Sequence, residues 1–487
     1  MENNRKKENI ISFGLVVLGA VVYLSLVFNE NVWLDEAFTA SLVRTDMAGV
    51  LSRSMADTLP PLYNILLKIS TDIFGYTVPV MKVTSVVPMI ITMILSATVV
   101  RKRHGFKASA LFTVALFTMP NLLFYGVEIR MYSLGFLFAT AAGIYACEVI
   151  CEYNRKNLII FSVVSALAGY SHHFAFVSVG MVYFFMLLYY FFLDRKNIKR
   201  WFMCLLLTVV MYIPCLIVTL KQFKSVSGYF SMPDVTASVF VKYARYPYTV
   251  GNTVASIVLL VSVAALLIYT VCRIVGIIRK ESVKARETDP DKTEFCKKEV
   301  FTDLYALSMF LVYYLVLLFG TAVSKVMTAN IFVDRYLLFA HGLIWLFFAV
   351  EAGKFKKYFC VFLAIEVLAG VFGYINEFKI EYDTNPDALI AFLETEVDDG
   401  DVLYTIEQSE EMAFCLPFYD EGLTNYEDLS EAVKAAGENN SEIFMSVIDY
   451  EEYDFSELAE QGLKAESEGT YTFDRYTIDM YRLVPID

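Results

Sequence analysis

Two adjacent carboxylates, Asp35 and Glu36, lie in the segment Trp33-Leu34-Asp35-Glu36-Ala37-Phe38, directly after the first long apolar run of the chain. A carboxylate at a lipid boundary, close to a second negative charge, holds its proton more tightly and becomes a better general base. The alternative is an acidic helix start, because Asp and Glu favour the positive N-terminal end of a helix. The pair is therefore a candidate for proton transfer or for helix capping.

Two further clusters combine acids with arginine, proline or tyrosine. In the first, Asp57 precedes Pro60-Pro61 and Tyr63, so the prolines set an extended entry and then start a helix. An ordinary turn without a functional role also explains those prolines. In the second, Glu128-Ile129-Arg130-Met131-Tyr132 separates two long apolar segments. An arginine fork there suits a phosphate, whereas an internal ion pair is the alternative.

Histidines and a late arginine complete the set. Two of the four histidines stand in Tyr170-Ser171-His172-His173-Phe174, where a proton relay, a metal ligand or a satisfied interfacial histidine are all compatible with the pattern. Asp334-Arg335-Tyr336 precedes another apolar run. Arg335 could snorkel to the membrane surface, or bind phosphate beside Lys325.

The elements that must position these residues are membrane helices. Apolar residues make up 57% of the 487 residues, charged residues only 19%, and mean hydropathy is +0.52. The hydrocarbon layer needs about 20 apolar residues per helix. Eleven runs are candidate spans, near 10–28, 79–100, 108–125, 132–151, 157–171, 174–193, 201–220, 254–275, 302–321, 336–352 and 357–375. The run 157–171 is short and breaks at Gly169, so a tilted or partial span is the alternative there. Segment 59–76 is apolar on one face only and predicts an interfacial amphipathic helix.

Basic residues predict the orientation. With the N-terminus in the cytoplasm, short inside segments hold 24 of the 40 Lys and Arg, including eight between Arg273 and Lys298, and the longer outside segments hold 15. An odd number of spans then places the C-terminus outside. All five clusters fall on the outer side, so we expect an outward-facing cavity for a lipid-linked, phosphate-bearing substrate at the plasma membrane.

The tail from 376 to 487 differs in kind. It holds 30 acidic against 5 basic residues, so the formal net charge of −13 belongs to this tail. Apolar clusters at Val402-Leu403-Tyr404 and Ile443-Phe444-Met445 predict strands, and 387–397 and 427–436 predict helices. The sequence therefore predicts a transmembrane domain over 1–375, with a first external loop at 29–78, and a small acidic extracytoplasmic α/β domain over 376–487.

These motifs together resemble the membrane glycosyltransferases of the GT-C class, in the group of protein O-mannosyltransferases and lipid A aminoarabinose transferases. The residues that carry the resemblance are Asp35-Glu36, Asp57 with Pro60-Pro61-Leu62-Tyr63, Glu128-x-Arg130-x-Tyr132, and Arg335-Tyr336, in that order over roughly residues 10–375. The fold implied is an all-α polytopic membrane bundle with a small external C-terminal domain.

The resemblance also implies a reaction. A sugar on a polyprenyl phosphate would pass to a hydroxyl acceptor on a polymer, lipid or protein, with inversion. Asp35 would act as base with Glu36 in support, and Arg130 and Arg335, with Tyr336, would hold the phosphate. Glu128, Tyr132 and Tyr63 would support these groups.

The resemblance specifies a metal site less clearly than it specifies the base and the phosphate-binding residues. Asp57 and His172 are candidate ligands for a divalent cation, although Thr58-Leu59 replace the Glu-Lys that precedes the proline in some aminoarabinose transferases. The sequence specifies no cofactor with certainty beyond this candidate divalent cation, and no nucleic-acid partner is expected.

Two other functions share some of these features. A lipid-linked glycan polymerase or ligase would use a basic external segment, and 221–253 holds Lys221, Lys224, Lys242 and Arg245. A transporter or flippase would place charges within spans and show internal repeats. Lys82 is the main charge within a predicted span, and no repeat is visible.

Overall fold

The structure, a computed structural model, describes residues 2–226, 234–284, 290–326, 330–406, 409–448 and 454–486. Lys224 and most of the predicted basic loop between Arg273 and Lys298 have side chains outside the described set. The described residues form 21 α-helices and five strands.

The helices of the first half of the chain are α1 Glu2–Leu24, α2 Leu34–Val43, α3 Met47–Ala56, α4 Leu62–Phe74, α5 Val78–Leu95, α6 Arg101–His104, α7 Phe106–Thr118, α8 Pro120–Val127, α9 Tyr132–Cys151, α10 Arg155–Ser171, α11 His173–Phe192 and α12 Lys199–Val226. The later elements are α13 Ala237–Arg245, α14 Thr253–Lys284, α15 Pro290–Val326, α16 Leu338–Ala352, α17 Phe359–Tyr382, α18 Asp387–Glu396, β1 Val402–Thr405, α19 Met412–Tyr419, β2 Thr424–Tyr426, α20 Leu429–Asn439, β3 Ile443–Ile448, α21 Ser456–Glu460, β4 Leu463–Phe473 and β5 Tyr476–Pro485.

The predicted membrane spans are largely present. Among the described residues, nine helices are long and apolar enough to cross a membrane, or ten if the bent pair α7 and α8 forms one span. That pair bends by 62° at Met119, whose backbone is extended, because the following Pro120 disfavours the helical conformation. The predicted segment 157–171 forms α10, which has 17 residues and is not among these nine or ten helices. At 1.5 Å per residue it reaches about 25 Å, near the lower limit for a helix that crosses the hydrocarbon layer, so the eleventh span stays a prediction.

The chain divides into two compact units. The first comprises Met1–Ser25, Leu51–Leu66 and Val83–Asn376, and the second comprises Leu26–Val50, Leu67–Lys82 and Glu377–Asp487. The external loop after the first helix is therefore divided between the two units, and its first part belongs with the C-terminal residues.

The first unit is built around α16. Every residue of this helix is buried, and it packs against α7, α9 and α15. A helix that is apolar on all sides requires such a surrounding. Gly342 permits the close approach of α9, since an added Cβ would lie 2.0 Å from Thr140 Oγ1. The short α10 packs between α9, α11 and α12.

The second unit contains a five-stranded sheet in the order β2-β1-β3-β5-β4. Strands β1, β2 and β3 pair in parallel, and β5 pairs antiparallel with both β3 and β4. All residues of β1 and β3 are buried, as expected for parallel strands covered on both faces. The predicted strands and helices of the acidic tail are confirmed as β1, β3, α18 and α20.

Candidate active site

The acid pair occupies the first turn of α2, in the second unit. Glu36 is 3% exposed, and its Oε2 accepts the backbone N–H of Trp33 at 3.3 Å. The helix-start interpretation thus holds for Glu36. Asp35 is only half-buried, and its backbone carbonyl accepts the hydroxyl of Thr39 at 2.8 Å. The structure therefore separates a capping carboxylate, Glu36, from a more accessible one, Asp35.

Residues of the C-terminal tail hold the segment that precedes the acid pair. The side-chain amide of Asn31 donates to the carbonyls of Glu381 and Thr384, and its oxygen accepts the N–H of Asp474. The hydroxyl of Tyr419 lies 3.1 Å from the carbonyl oxygen of Glu30. This segment is consequently fixed by contacts with residues about 350 to 440 positions later in the chain.

The hairpin turn between β4 and β5 adds a contact at Trp33. The guanidinium of Arg475 lies 4.3 Å from the centre of the Trp33 ring, a cation–π geometry. The next residue, Tyr476, places its hydroxyl 3.4 Å from the backbone nitrogen of Leu34. The turn therefore contacts the two residues that immediately precede Asp35.

A buried cation lies in the same unit. Lys82 Nζ donates to Glu381 Oε2 at 2.6 Å and to Asn29 Oδ1 at 2.8 Å, and the side chain is 2% exposed. Asn29 Nδ2 also donates to Glu381 Oε2 at 2.8 Å. The Lys82 ammonium is attracted most strongly by the carboxylate of Glu381 and next by that of Glu36. This network connects the loop after α1 to the start of α5, at Lys82, and to the end of α17, at Glu381.

The Asp57 cluster belongs to the first unit. Asp57 follows α3 and is half-buried, with the Thr58 hydroxyl 3.4 Å from its Oδ1. The carbonyl of Thr58 lies 3.3 Å from His173 Nε2, so this loop adjoins the histidine cluster. Tyr63 is buried, and its hydroxyl lies 2.7 Å from Ser85 Oγ, which gives it a packing role between α4 and α5.

Glu128 and Arg130 occupy a short loop between α8 and α9. They are 3% and 8% exposed, an unusual burial for two ionisable groups. Tyr132 opens α9 and packs edge-on against Tyr125 with ring centres 4.9 Å apart. The charges of Glu128 and Arg335 both act on the Tyr125 hydroxyl. Both the loop and Arg335 are therefore near enough to Tyr125 to act on it electrostatically.

His172 is the centre of the convergence in the first unit. Its ring lies 4.8 Å from Tyr336 and 4.5 Å from Phe339. Burial, the His173 imidazole, and then the guanidinium groups of Arg130 and Arg335 lower the pKa of His172 well below its usual value. The residues next to Arg130 and Arg335, from loops some 200 residues apart in the sequence, thus come together here: Tyr336 contacts His172, and the Tyr132 ring lies 6.3 Å from Phe339.

The tautomer of His172 follows from one hydrogen bond. The backbone N–H of Phe174 donates to Nδ1 at 3.0 Å, so the proton of the neutral ring is on Nε2. Nε2 is buried without a hydrogen-bond partner among the described residues. It is a buried donor next to the segments that carry Arg130 and Arg335, an arrangement suited to an anion.

Asp57 and His172 are the predicted cation ligands. Among the described residues, no group of three or more His, Cys, Asp or Glu side chains could hold a metal ion. In His172, Nδ1 accepts the Phe174 N–H, so Nε2 carries the proton and has no lone pair for a metal in this tautomer. The divalent cation at Asp57 and His172 stays a prediction, and no chemical step is derived through it.

Several residues of these clusters carry no local sequence signal. Tyr125 and Tyr246 interact through their side chains near Arg335, and Arg475 and Lys82 support the acid-pair segment from distant positions. Tyrosines are frequent here, with 32 in the chain, so no pattern distinguishes Tyr125 or Tyr246. Lys82 was visible as a charge within a span, but its partner Glu381 is 299 residues away.

No protein-family model and no curated protein sequence matches the chain. Two similar solved structures are those of ArnT from Cupriavidus metallidurans, in the apo state and bound to undecaprenyl phosphate. Each has a TM-score of 0.60, with identities of 10% and 11%, and the match covers 96% of this chain and 97% of the other. The sequence resemblance to GT-C glycosyltransferases is thus confirmed in the fold, which this chain shares with ArnT over nearly its whole length.

Proposed function

We propose that this protein is an inverting glycosyltransferase that moves a sugar from a polyprenyl-phosphate donor to a hydroxyl acceptor at the outer face of the plasma membrane. The observation that carries the proposal is that His172 lies 4.8 Å from the ring of Tyr336, which follows Arg335, and shares the Phe339 ring with Tyr132, two residues after Arg130, in a fold shared with ArnT. One of the two ArnT structures is bound to undecaprenyl phosphate, which supports a donor of this class. The outer face follows from the distribution of Lys and Arg.

The two arginines would act on the leaving group. When the anomeric C–O bond breaks, the electron pair passes to the phosphate oxygen, and polyprenyl phosphate leaves with an additional negative charge. Fixed cations in a buried site stabilise such developing charge without reorganisation of solvent. Guanidinium groups also match the paired oxygens of a phosphate. Tyr336 and Tyr132 would line the same site.

Asp35 would take the proton of the acceptor. The acceptor oxygen attacks the anomeric carbon from the face opposite the phosphate, and its proton passes to the Asp35 carboxylate, so the sugar is inverted in one displacement. A positioned general base of this kind typically contributes about 10²–10⁴-fold to the rate. Glu36 is occupied by the Trp33 N–H, and we assign it a supporting role.

The proposal is tested by incubating the purified protein with a panel of polyprenyl-phosphate hexoses and pentoses and measuring released polyprenyl phosphate. We expect Asp35→Asn to reduce turnover by at least about 10²-fold. The matched control is Asp46→Asn, because Asp46 is an exposed carboxylate after α2, and Asn can still accept the Gly49 N–H. Full activity of Asp35→Asn would refute the assignment of the base.

The same assay separates the other two functions. A lipid-linked glycan polymerase or ligase that uses a pyrophosphate carrier would release polyprenyl pyrophosphate instead of the monophosphate. A transporter or flippase would move the donor between leaflets of a vesicle and release neither. Arg130→Lys keeps the charge but removes the fork, so slower phosphate release with unchanged folding would support the leaving-group role.

A further inference from the structure

The bend between α7 and α8 deprives one backbone carbonyl of its usual partner. In a continuous helix, the carbonyl of Leu116 would accept the N–H of residue 120, but that residue is a proline and has no N–H. Leu116 is fully buried, and a buried carbonyl in a membrane domain needs a donor from within the protein. The bend of 62° therefore depends on a hydrogen bond from another element.

Tyr23 of α1 supplies that donor. Its hydroxyl lies 2.7 Å from the carbonyl oxygen of Leu116 and 3.1 Å from that of Leu122, so one side chain contacts both arms of the bend. The Tyr23 ring is fully buried. It fits against α8 because a glycine faces it: a Cβ added at Gly126 would lie 2.5 Å from Tyr23 Cε1. Tyr23 thus fixes the direction in which α8 leaves α7.

Two glycines of α17 hold the bend from another side. A Cβ added at Gly370 would lie 2.4 Å from Thr118 Cβ, and one added at Gly373 would lie 2.4 Å from Pro120 Cγ. The end of α7 and the proline ring therefore pack directly on the α17 backbone. Bends at proline are stable where neighbouring helices satisfy the freed backbone groups, and this bend is built in that way.

The direction of α8 sets the position of the arginine loop. The helix ends at Val127, and Glu128 and Arg130 follow in the loop before α9. The ring of Tyr125, on the last turn of α8, lies 4.9 Å from that of Tyr132. The eight residues of α8 span about 12 Å, so a rotation of only about 5° would displace the loop by about 1 Å.

We propose that Tyr23 is a positioning residue for sugar transfer. Its hydroxyl fixes the bend, the bend orients α8, and α8 holds Arg130 where the leaving phosphate would lie. Tyr23 itself touches neither substrate. The proposal rests on the proposed function, in which Arg130 acts on the phosphate.

The test is Tyr23→Phe, which removes the hydroxyl and keeps the ring against Gly126. Because a displacement of about 1 Å can lower a rate on the order of 10²-fold, we expect kcat per folded molecule to fall about tenfold or more. The KM for the polyprenyl-phosphate sugar should change less, since the charge on the phosphate develops as it leaves. Hydrogen exchange read by mass spectrometry should rise in peptides from residues 119–131.

The matched control is Tyr305→Phe. It removes a buried hydroxyl that donates to the carbonyl of Gly143 at 3.0 Å, and Gly143 lies about 16 Å along α9 from Tyr132. Both variants lose one buried hydrogen bond to a backbone carbonyl, so their melting temperatures should fall similarly. Only Tyr23→Phe should lower kcat and raise exchange at residues 119–131.

The outcomes separate this proposal from the proposed function. An equal fall of kcat in both variants means a general loss of stability and overturns the positioning role, as does full kcat in Tyr23→Phe. If the unaltered chain transfers sugar from none of the donors, the proposed function fails. Exchange then decides the role of Tyr23 in holding the loop: a rise at residues 119–131 in Tyr23→Phe alone supports it, and no rise overturns it.

Discussion

Replacing Lys82 with methionine removes an ammonium group from the buried network of the second unit. The side chain of methionine is unbranched and similar in length, so the change tests the charge more than the volume. Lys82 Nζ lies 2.6 Å from Glu381 Oε2, and the two side chains are 2% and 10% exposed. In the variant, the Glu381 carboxylate would remain buried with the Asn29 amide at 2.8 Å as a donor.

The size of the effect follows from this geometry. At an effective dielectric constant near 20, two unit charges 2.6 Å apart attract each other by on the order of 6 kcal/mol. Desolvation of both ions offsets much of that attraction, whereas loss of one partner leaves the other charge uncompensated, which typically costs about 3–5 kcal/mol. We therefore expect Lys82→Met to lower the free energy of unfolding by about that amount.

Hydrogen exchange read by mass spectrometry locates the effect. Because Asn29 and Asn31 join this network to the acid-pair segment, exchange should rise in peptides from residues 26–50 and 377–487. The apparent melting temperature in detergent should fall by roughly 6–20 °C, at about 2–4 °C per kcal/mol.

The matched control is the double variant Lys82→Met with Glu381→Gln. It removes both charges and leaves an amide that can still pair with Asn29, so most of the lost stability should return. A single variant Lys82→Met as stable as the unaltered chain would refute the reasoning. So would a double variant no more stable than Lys82→Met alone.

Two further predictions concern the groups around the candidate site. Arg475→Ala should lower sugar transfer, because it removes the cation that lies 4.3 Å from the Trp33 ring. Such a cation–π contact contributes about 1 kcal/mol. Arg475→Lys should restore the transfer, and equal loss of transfer in both variants would contradict the cation–π role. Because the pKa of His172 is lowered in the folded protein, the unfolded chain binds more protons below about pH 6.5, so stability should fall as the pH falls. His172→Phe, which keeps an aromatic ring beside Phe339, should reduce the difference in melting temperature between pH 5 and pH 8, and an unchanged difference would contradict the neutral imidazole.

The helices that build the membrane part could be predicted from the sequence because their cause is local. A run of about 20 apolar residues has few alternatives to a membrane or a buried helix, and α16, near the predicted span 336–352, is buried on every side. The strands β1 and β3 were predicted for the same reason, since short apolar clusters in a charged tail indicate a covered sheet. Segment 157–171 forms the 17-residue helix α10, whose length is near the lower limit for a span, so hydropathy alone does not decide whether it crosses.

The meeting of the predicted clusters was decided by helix packing. The sequence placed Arg130, His172 and Arg335 on one predicted side of the membrane, but distances between them depend on how α9, α11 and α16 pack. The structure shows that Tyr336, next to Arg335, contacts the His172 ring, and that His172 and Tyr132 both lie against Phe339. The roles of Asp35 and these arginines in catalysis stay predictions, because fold similarity at 10% identity carries no residue-level assignment.

The acid pair shows most directly what the sequence determined and what the tertiary structure decided. The sequence by itself determined that Asp35 and Glu36 follow an apolar span and could start a helix, since both properties depend on neighbouring residues. Only the tertiary structure decided that Glu36 is buried and Asp35 is partly accessible, and that Asn31 and Trp33 are held by Asp474 and Arg475. Such contacts join positions more than 440 residues apart, and no local pattern encodes them because they depend on the folding of the intervening chain.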